Sequence, residues 1–401
     1  MTLSSIPLGY LITVLFIAWC TYFVVAPPNF PRIFNSLGSY FGVINELPFF
    51  ALFWLIGSTS LAFIEGDVYY PVGWMAFGIT ILAVGTLLVI IHRGLQTSPV
   101  VSQAMDDSLE KKWRTTINLK IERRLHKKFS SAALLGPFFK RRYDIERIAN
   151  INYGNAGMRN QLDVYRHRSH PTGCPTLVHL HGGGFVGGKK NSQSLPLIYQ
   201  LASKGWVCIS ANYRLSPDVK FPDHLIDIKK VIAWVREHGS EYGADPTMIF
   251  LAGNSAGAHL TAMAALTPNS PTFQPGFECV DTSVIAAICL YGYYGYIDTK
   301  PGLFSSPMAY SGKEAPPFFV AHGDQDRLVP VENARRFAEH LRDSSSNPVV
   351  YVELPGAEHN FDLYHSIRTE ASCMALKPLP LGFGPITNII QIKSFRSLIT
   401  Y

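Results

Sequence analysis

The chain has 401 residues, a net charge of +6 and a mean hydropathy of +0.12, enough length for one large α/β domain and an appendage. Its six cysteines include no CxxC pair, so neither a zinc site nor a disulfide framework is indicated, and buried free thiols are expected. The apolar composition comes largely from the first ninety residues, whereas the region from about Tyr143 onward has an ordinary soluble composition.

The first ninety residues contain three apolar segments, at 6–26, 47–64 and 68–91. The first has about twenty apolar residues without a charge, the length that crosses a hydrocarbon core of about 30 Å. A signal peptide is the alternative, but no basic region precedes the segment and two prolines follow it. An acidic turn, Glu65-Gly66-Asp67, separates the other two and suits a transmembrane hairpin. A buried core helix would explain the second segment alone, but the set predicts three membrane spans.

A basic segment follows the third apolar segment, with twelve Lys or Arg against four Asp or Glu over residues 92–142. Nucleic acid is one partner for such a segment, but its position beside a span favours an anionic membrane surface, which attracts each basic residue by about 1 kcal/mol. The positive-inside rule places this segment and everything after it in the cytoplasm. The N-terminus and the acidic turn are then predicted to lie outside.

Within the basic segment, apolar residues recur at every fourth position on a predicted helix. These residues are Leu109, Trp113, Ile117, Ile121, Leu125 and Phe129. Two interpretations remain open. The helix lies in the plane of the membrane interface, or it packs as a cap over the following domain, and both hold together if the cap faces the bilayer.

From residue 161 onward, short β-rich segments alternate with helical ones, which predicts an α/β fold with a mostly parallel sheet covered on both faces. The predicted strands are Leu162–Tyr165, Thr176–Leu180, Val207–Ala211, Ile249–Ala252, Ile285–Tyr291, Phe318–Ala321 and Val349–Glu353. Helical periodicity is clearest over Asp227–Glu237. The predicted organisation is a membrane region of three helices at 1–91, a basic juxtamembrane or cap segment at 92–142 and a sheet domain at 143–401.

A candidate nucleophile lies in the sequence Gly253-Asn254-Ser255-Ala256-Gly257, between a predicted strand and an apolar helical segment. This is the context of a nucleophile elbow, where a strained turn lifts the serine hydroxyl above the sheet edge. Glycines at both ends are required because the turn leaves no room for a Cβ. A helix N-terminus behind Ser255 also favours a negative oxygen. Chance occurrences of this motif are common, so further residues are needed.

A second motif, His181-Gly182-Gly183-Gly184-Phe185, ends the predicted strand Thr176–Leu180. Its glycines expose backbone N–H groups, and those of Gly183 and Gly184, with that of Ala256, form a candidate oxyanion hole. A flexible turn and a phosphate-binding loop are the alternatives, but the lysine of a phosphate loop is missing. We expect His181 to brace the loop.

Two later loops supply the remaining candidate residues. In a fold with a nucleophile elbow, the order along the chain is nucleophile, acid, histidine. His322-Gly323-Asp324-Gln325-Asp326 follows one predicted strand, and Glu358-His359-Asn360-Phe361 follows the next. Each lies at the carboxyl end of a strand, where a serine, a base and an orienting carboxylate would meet.

Together the segments HGGGF, GNSAG, HGDQDRLVP and GAEHNF resemble the hormone-sensitive-lipase-like carboxylesterases of the α/β-hydrolase superfamily over roughly residues 145–365. The resemblance implies an α/β-hydrolase fold, with Ser255 as nucleophile, Asp326 as acid and His359 as base. The oxyanion hole is then Gly183, Gly184 and Ala256, supported by His181, Gly182, Gly253 and Gly257. Asn254 departs from the family, because many relatives carry an acidic residue there. Prolines and glycines beyond Leu376 interrupt the final helix that the family pattern would have.

The sequence therefore predicts a membrane-anchored serine esterase or lipase that needs no metal and no organic cofactor, acts on a small-molecule or lipid ester, contacts membrane lipid and binds no nucleic acid. An amidase, peptidase or acyltransferase with the same three residues is an alternative. A receptor that keeps the fold without turnover is a third. Removal of residues 1–91 is expected to leave hydrolysis of small soluble esters intact.

Overall fold

The computed structural model describes residues 7–26, 42–109, 136–138 and 141–376. Eight strands form one sheet. They are β1 (Ile145–Asn152), β2 (Gln161–His167), β3 (Cys174–Leu180), β4 (Val207–Ala211), β5 (Ala244–Asn254), β6 (Ala286–Leu290), β7 (Phe318–Gly323) and β8 (Val349–Leu354). Each predicted strand overlaps one of these. Strand β1, at the edge of the sheet, was not predicted. Its charged and amide residues obscure the alternation of polar and apolar side chains that indicates a strand.

The strand order is β1-β2-β4-β3-β5-β6-β7-β8. Only β2 runs against its neighbours, so the sheet is mostly parallel, as predicted. Five helices of the sheet domain connect or follow the strands, namely α4 (Leu195–Ala202), α5 (Asp223–His238), α6 (Ala256–Leu266), α7 (Glu332–Ser344) and α8 (Ile367–Leu376). The carboxyl ends of the parallel strands share one edge, where the motif loops emerge.

Apolar cores cover both faces of the sheet because neighbouring residues of a strand point to opposite sides. Leu177 belongs to one core and Val178 to the other, and Phe250 and Leu251 divide in the same way. All five residues of β4 are buried, as expected for a strand covered on both faces. The sheet is thus buried on both faces beneath the loops.

Three apolar helices precede the sheet domain: α1 (Leu8–Val25), α2 (Pro48–Ile64) and α3 (Pro71–Leu109). By length and composition α1 and α3 are long enough to cross a membrane, and α1 is near the N-terminus, where a signal sequence has the same character. The 17 residues of α2 are also apolar but fall short of that length. The three pack together, with Val14, Leu55 and Leu87 buried among them.

Helix α3 continues for 18 residues past the predicted domain boundary at 91. Its last turns carry Val101, Met105 and Leu109, which are buried in the same core as Leu177 of the sheet. Apolar residues four positions apart line one face of a helix, so this end of α3 belongs to the sheet domain. Of the predicted basic helix with apolar residues from Leu109 to Phe129, Leu109 belongs to the end of α3, and the other apolar positions lie outside the described residues.

A buried ion pair joins the residues before α2 to the start of α8. Arg368 Nη1 donates to Glu46 Oε1 at 3.0 Å, and both side chains are almost fully buried. The same nitrogen donates to Asn45 O at 2.9 Å, while Asn45 Nδ2 donates to Gly356 O at 2.7 Å. Ser366 Oγ adds a hydrogen bond to Glu46 Oε2. The N-terminal region is thus fastened to the loop that carries His359.

Removal of residues 1–91 would remove Glu46 and leave Arg368 buried without its carboxylate partner. Loss of one partner of a buried ion pair costs about 3–5 kcal/mol, so we expect Glu46→Gln to destabilise the full-length chain by about that amount. Urea unfolding in detergent measures the change. A matched control is Arg335→Met, which breaks the surface pair with Glu353 and is expected to cost at most about 1 kcal/mol. Equal losses in both variants would contradict the role of the buried pair.

The six cysteines lie within the described residues and form no disulfide bond there; five are buried as expected, whereas Cys279 is exposed. Helix α8 reaches Leu376, the point beyond which prolines and glycines were predicted to stop a helix. Residues 377–401 lie outside the described part of the chain.

Candidate active site

Ser255 lies in the tight turn between β5 and α6 with φ of +52° and ψ of −116°. Positive φ is uncommon for a residue with a Cβ and persists where the surroundings hold it. Its N–H donates to Leu290 O on the neighbouring strand at 2.9 Å, which anchors the turn to the sheet. Helix α6 begins at Ala256, so the positive end of the helix dipole lies beside the serine.

Glycines are required on both sides of this turn. A Cβ added to Gly253 would lie 2.2 Å from Gly257 O, and one added to Gly257 would lie 2.2 Å from Leu180 O. Both distances are far below van der Waals contact. The start of α6 therefore packs backbone to backbone against the end of β3, which brings Ser255 beside the glycine loop that follows β3.

Asp326 and His359 meet above β7 and β8. Asp326 Oδ2 accepts a hydrogen bond from His359 Nδ1 at 2.7 Å, and Asp326 Oδ1 accepts the backbone N–H groups of Leu328 and Val329 at 2.9 Å each. A proton on Nδ1 leaves His359 Nε2 as the acceptor nitrogen of the ring. Asp324, the other aspartate of this loop, accepts instead the N–H of Gly356 at 2.7 Å.

A second histidine, His322, also contacts Asp326. His322 is part of the same sequence motif, but the motif did not indicate this contact. Its Nε2 lies 3.1 Å from Asp326 Oδ2 and donates to Val329 O at 2.8 Å. Burial alone raises the pKa of Asp326, but the charge of His359 and the hydrogen bonds from His322 and His359 together hold that pKa well below its usual range. The carboxylate is therefore ionised at neutral pH.

The glycine loop lies directly against the elbow. A Cβ on Gly182 would lie 3.0 Å from Ser255 Cβ, and Gly183 and Gly184 have φ of +123° and +60°. The N–H groups of Gly183 and Gly184 donate to no described residue, and that of Ala256 is in the first turn of α6, where a helix leaves N–H groups unpaired. The structure thus places the glycine loop, which carries two of the three predicted oxyanion donors, against the turn that carries Ser255 and Ala256.

His181, which was predicted to brace this loop, is hydrogen-bonded within it. It is fully buried, its Nδ1 donates to Gly182 O at 2.7 Å, and its ring stacks on Tyr213 at 4.4 Å. Burial lowers the pKa of His181 to about 4, although the hydrogen bond to Gly182 opposes that shift. The ring is neutral at physiological pH.

The Ser255 hydroxyl makes no hydrogen bond to a described residue, so it is not hydrogen-bonded to His359 in this structure. Tyr291 connects them indirectly, because it follows Leu290, the acceptor for Ser255 N, and its ring lies 4.6 Å from the ring of His359. Hydrogen bonds of a catalytic site are often long before substrate binds. Tyr291 was within a predicted strand, and nothing in the sequence pattern set it apart.

A buried carboxylate, Asp362, lies behind this pair and was also missed by sequence analysis. It accepts hydrogen bonds from Ser194 Oγ at 2.5 Å, from Asn254 Nδ2 at 2.9 Å and from the Tyr291 hydroxyl. Burial raises the pKa of Tyr291, so its hydroxyl stays protonated and donates. Asn254 Oδ1 accepts in turn from His179 Nε2 at 2.6 Å. Asn254 is therefore hydrogen-bonded to a buried carboxylate that lies on the His359 loop.

Asn254→Asp is expected to destabilise the protein increasingly as pH rises. The new carboxylate would face Asp362 across 2.9 Å in a buried site, and two such charges cannot both ionise. Its pKa in the folded chain then exceeds the value of about 3.9 in the unfolded chain, so the folded state binds more protons above that pH. Stability should fall by about 1.4 kcal/mol per pH unit until the folded-state pKa is reached.

Thermal unfolding of full-length protein at pH 5 and pH 8 measures this loss. The matched control is Asn254→Asp combined with Asp362→Asn, which exchanges the amide and the carboxylate and keeps a single charge. This double variant should regain most of the stability at pH 8. A single variant as stable at pH 8 as at pH 5 would contradict the proposed proximity of charges.

No group of three His, Cys, Asp or Glu side chains among the described residues is arranged to hold a metal ion. The site instead combines a strained serine, a His–Asp pair and exposed N–H groups at one edge of a mostly parallel sheet. This combination is typical of the α/β-hydrolase class.

Comparisons with known proteins agree with that class. Residues 162–301 match the family model BD-FAE. The chain is 42% identical over 261 residues to the "Probable carboxylic ester hydrolase LipM" of Mycobacterium tuberculosis, covering 58% of this chain and 61% of that protein. It is 41% identical over 256 residues to "Esterase LipQ" of the same organism, covering 57% and 60%. The predicted resemblance to hormone-sensitive-lipase-like esterases is therefore confirmed.

The chain spans about 60% of the length of these M. tuberculosis relatives. Among solved structures, the apo form of Thermogutta terrifontis esterase 2 is 26% identical with a TM-score of 0.48, covering 58% of this chain and 94% of that one.

Proposed function

We propose that this protein is a serine esterase that cleaves carboxylic esters with Ser255 as nucleophile, His359 as general base and Asp326 as the orienting acid. The observation that carries the proposal is the 2.7 Å hydrogen bond from His359 Nδ1 to Asp326, at the sheet edge where Ser255 has positive φ. Relatives about 40% identical are named carboxylic ester hydrolase and esterase, which supports esters as the substrate class.

In the proposed reaction, His359 Nε2 accepts the hydroxyl proton of Ser255 as the serine oxygen attacks the ester carbonyl. The ionised Asp326 stabilises the resulting imidazolium through Nδ1–H, and the two backbone donors on Asp326 Oδ1 hold the carboxylate in place. The imidazolium then gives its proton to the departing alcohol, which leaves an ester between Ser255 and the acyl group.

The carbonyl oxygen becomes negative during each attack. The N–H groups of Gly183, Gly184 and Ala256 are proposed to hold this oxygen, because donors fixed in advance stabilise the charge without reorganising. Water, activated by His359, then attacks the acyl-enzyme and releases the acid. Every proton in this scheme is moved by His359.

A panel of p-nitrophenyl esters and matched p-nitroanilides of rising acyl length tests the reaction on full-length protein in detergent. The proposal expects ester hydrolysis and labelling by a fluorophosphonate probe. Anilide hydrolysis at a comparable kcat/KM would support the amidase or peptidase alternative instead. Absence of both activities and of labelling would support the receptor alternative.

We also propose that the chain is anchored by three spans, with α2 crossing between α1 and α3, and that the sheet domain is cytoplasmic. Support comes from the apolar surface of all three helices and from the basic segment that follows them. Reporters fused to the N-terminus and after Tyr401 of the full chain test the topology. Opposite sides are expected; the same side would indicate an even number of spans.

A further inference from the structure

Helix α3 runs antiparallel to β8, and two contacts fix the alignment. Ser108 Oγ donates to Val349 O at the start of the strand, at 3.3 Å. Fifteen residues earlier, the side chain of Arg93 lies beside Gly356, just past the end of the strand, where an added Cβ would be 3.0 Å from Arg93 Cδ. Fifteen helical residues rise about 22 Å and seven extended residues about 23 Å, so the two contacts agree.

It follows that the first part of α3 projects beyond the carboxyl edge of the sheet. No Asp, Glu, Lys or Arg occurs between Pro71 and Arg93. At about 1.5 Å per residue this segment is about 33 Å long, close to the hydrocarbon thickness of about 30 Å. Large side chains on it, such as Trp74 and Leu82, are more than half exposed, as in a lipid-facing helix. The end of the span is therefore level with Gly356.

The candidate active site lies at this same level. His359 is three residues after Gly356, a distance of at most about 11 Å along the chain. Ser255 and Asp326 follow β5 and β7 at the same edge of the sheet. The reacting groups are thus at the height where the apolar part of α3 ends.

The large exposed apolar side chains of the sheet domain are also concentrated at this edge. Within residues 141–376, six large apolar side chains are between 50% and 93% exposed. Five of them lie in the segments that follow the carboxyl ends of β1, β3, β6 and β7: Met158, Val186, Tyr296, Phe304 and Leu328. The sixth, Tyr143, precedes β1 at the opposite edge. Apolar and aromatic side chains at one edge, beside a span, are typical of contact with a membrane interface.

We propose that the carboxyl edge of the sheet rests on the bilayer, with Met158, Val186, Tyr296, Phe304 and Leu328 in the interface, so that the site takes acyl esters directly from the lipid phase. This inference rests on the proposed function, an esterase held by spans. It adds the side of the domain that faces lipid and the class of substrate, a bilayer-resident ester.

The first test measures position without activity. Phe304→Cys and Tyr143→Cys are each made in a Cys279→Ser background, labelled with bimane and reconstituted in vesicles of phosphatidylcholine containing nitroxide-labelled lipid. The label at 304 is expected to be quenched strongly and the label at 143 little. Equal quenching at both sites, or stronger quenching at 143, would overturn the proposal.

The second test measures substrate choice in the same vesicles. Tyr296→Ser combined with Phe304→Ser is expected to lower kcat/KM about tenfold for p-nitrophenyl palmitate dissolved in the bilayer, equivalent to about 1.4 kcal/mol. The rate with soluble p-nitrophenyl acetate should change less than about twofold, and Tyr143→Ser should change neither. Equal losses on both esters would overturn the proposal. Absence of all hydrolysis in the parent chain would refute the proposed function, while the quenching result still decides the orientation.

Discussion

Replacing Ser255 with alanine is expected to lower kcat for p-nitrophenyl butyrate by about 10⁶-fold, because loss of the nucleophile in a serine hydrolase removes nearly all the rate enhancement of the triad. The same variant should lose labelling by a fluorophosphonate probe, since that reagent bonds to the activated hydroxyl. The backbone of residue 255 has φ of +52°, a conformation that alanine adopts no more easily than serine, so little change in stability is expected.

A matched control is Ser192→Ala, which removes an exposed hydroxyl that donates to Lys189 O within its own turn. It should retain full activity and labelling. Turnover by Ser255→Ala at more than a few per cent of the parent rate would refute the nucleophile assignment. Loss of activity with an unchanged unfolding midpoint would separate a chemical role from a structural one.

Asp326→Asn is expected to lower kcat by about 10⁴-fold, because an amide can donate to His359 Nδ1 and so favours the wrong ring tautomer. The other oxygen of Asp326 accepts two backbone N–H groups, and an asparagine oxygen can keep those bonds. The loop should therefore hold its shape while the chemistry fails. Steady-state kinetics with a soluble ester measure the effect.

Asp324→Asn is the paired comparison within the same loop. Asp324 Oδ1 accepts the N–H of Gly356, a bond that an amide oxygen also makes, and the side chain has no hydrogen bond to His359. Its kcat is expected to stay within about tenfold of the parent. A larger loss for Asp324→Asn than for Asp326→Asn would mean that the acid has been assigned to the wrong aspartate.

The short motifs allowed the site to be predicted because each meets a requirement of its own local backbone. Gly253 and Gly257 are needed by the backbone of one turn, and the glycines at 182–184 by the next, so residue type alone reports the geometry. The order of Ser255, the Asp loop and the His loop also follows from the sheet topology. For these residues the expectations and the observed positions agree, whereas their chemical roles await the variants above.

The extent of α3 shows where hydropathy falls short. The apolar run ends at residue 91, which suggested a boundary, yet the helix continues to Leu109 because one stripe of it packs on the sheet. A helix that leaves lipid and enters a protein core changes from apolar on all sides to apolar on one side. The composition changes accordingly after residue 91, but the continuation of the helix depends on the surface of the sheet against which it packs.

By itself the sequence determined the fold class, the alternating apolar pattern of the strands and the loops that carry Ser255, Asp326 and His359, because each depends on neighbours a few residues away. The tertiary structure alone decided which polar groups would be paired in the interior. Asp362 meets Ser194 across 168 positions and Arg368 meets Glu46 across 322. A buried charge requires a partner, but no local pattern states which distant segment supplies it, since only the packing of the whole chain brings the two together.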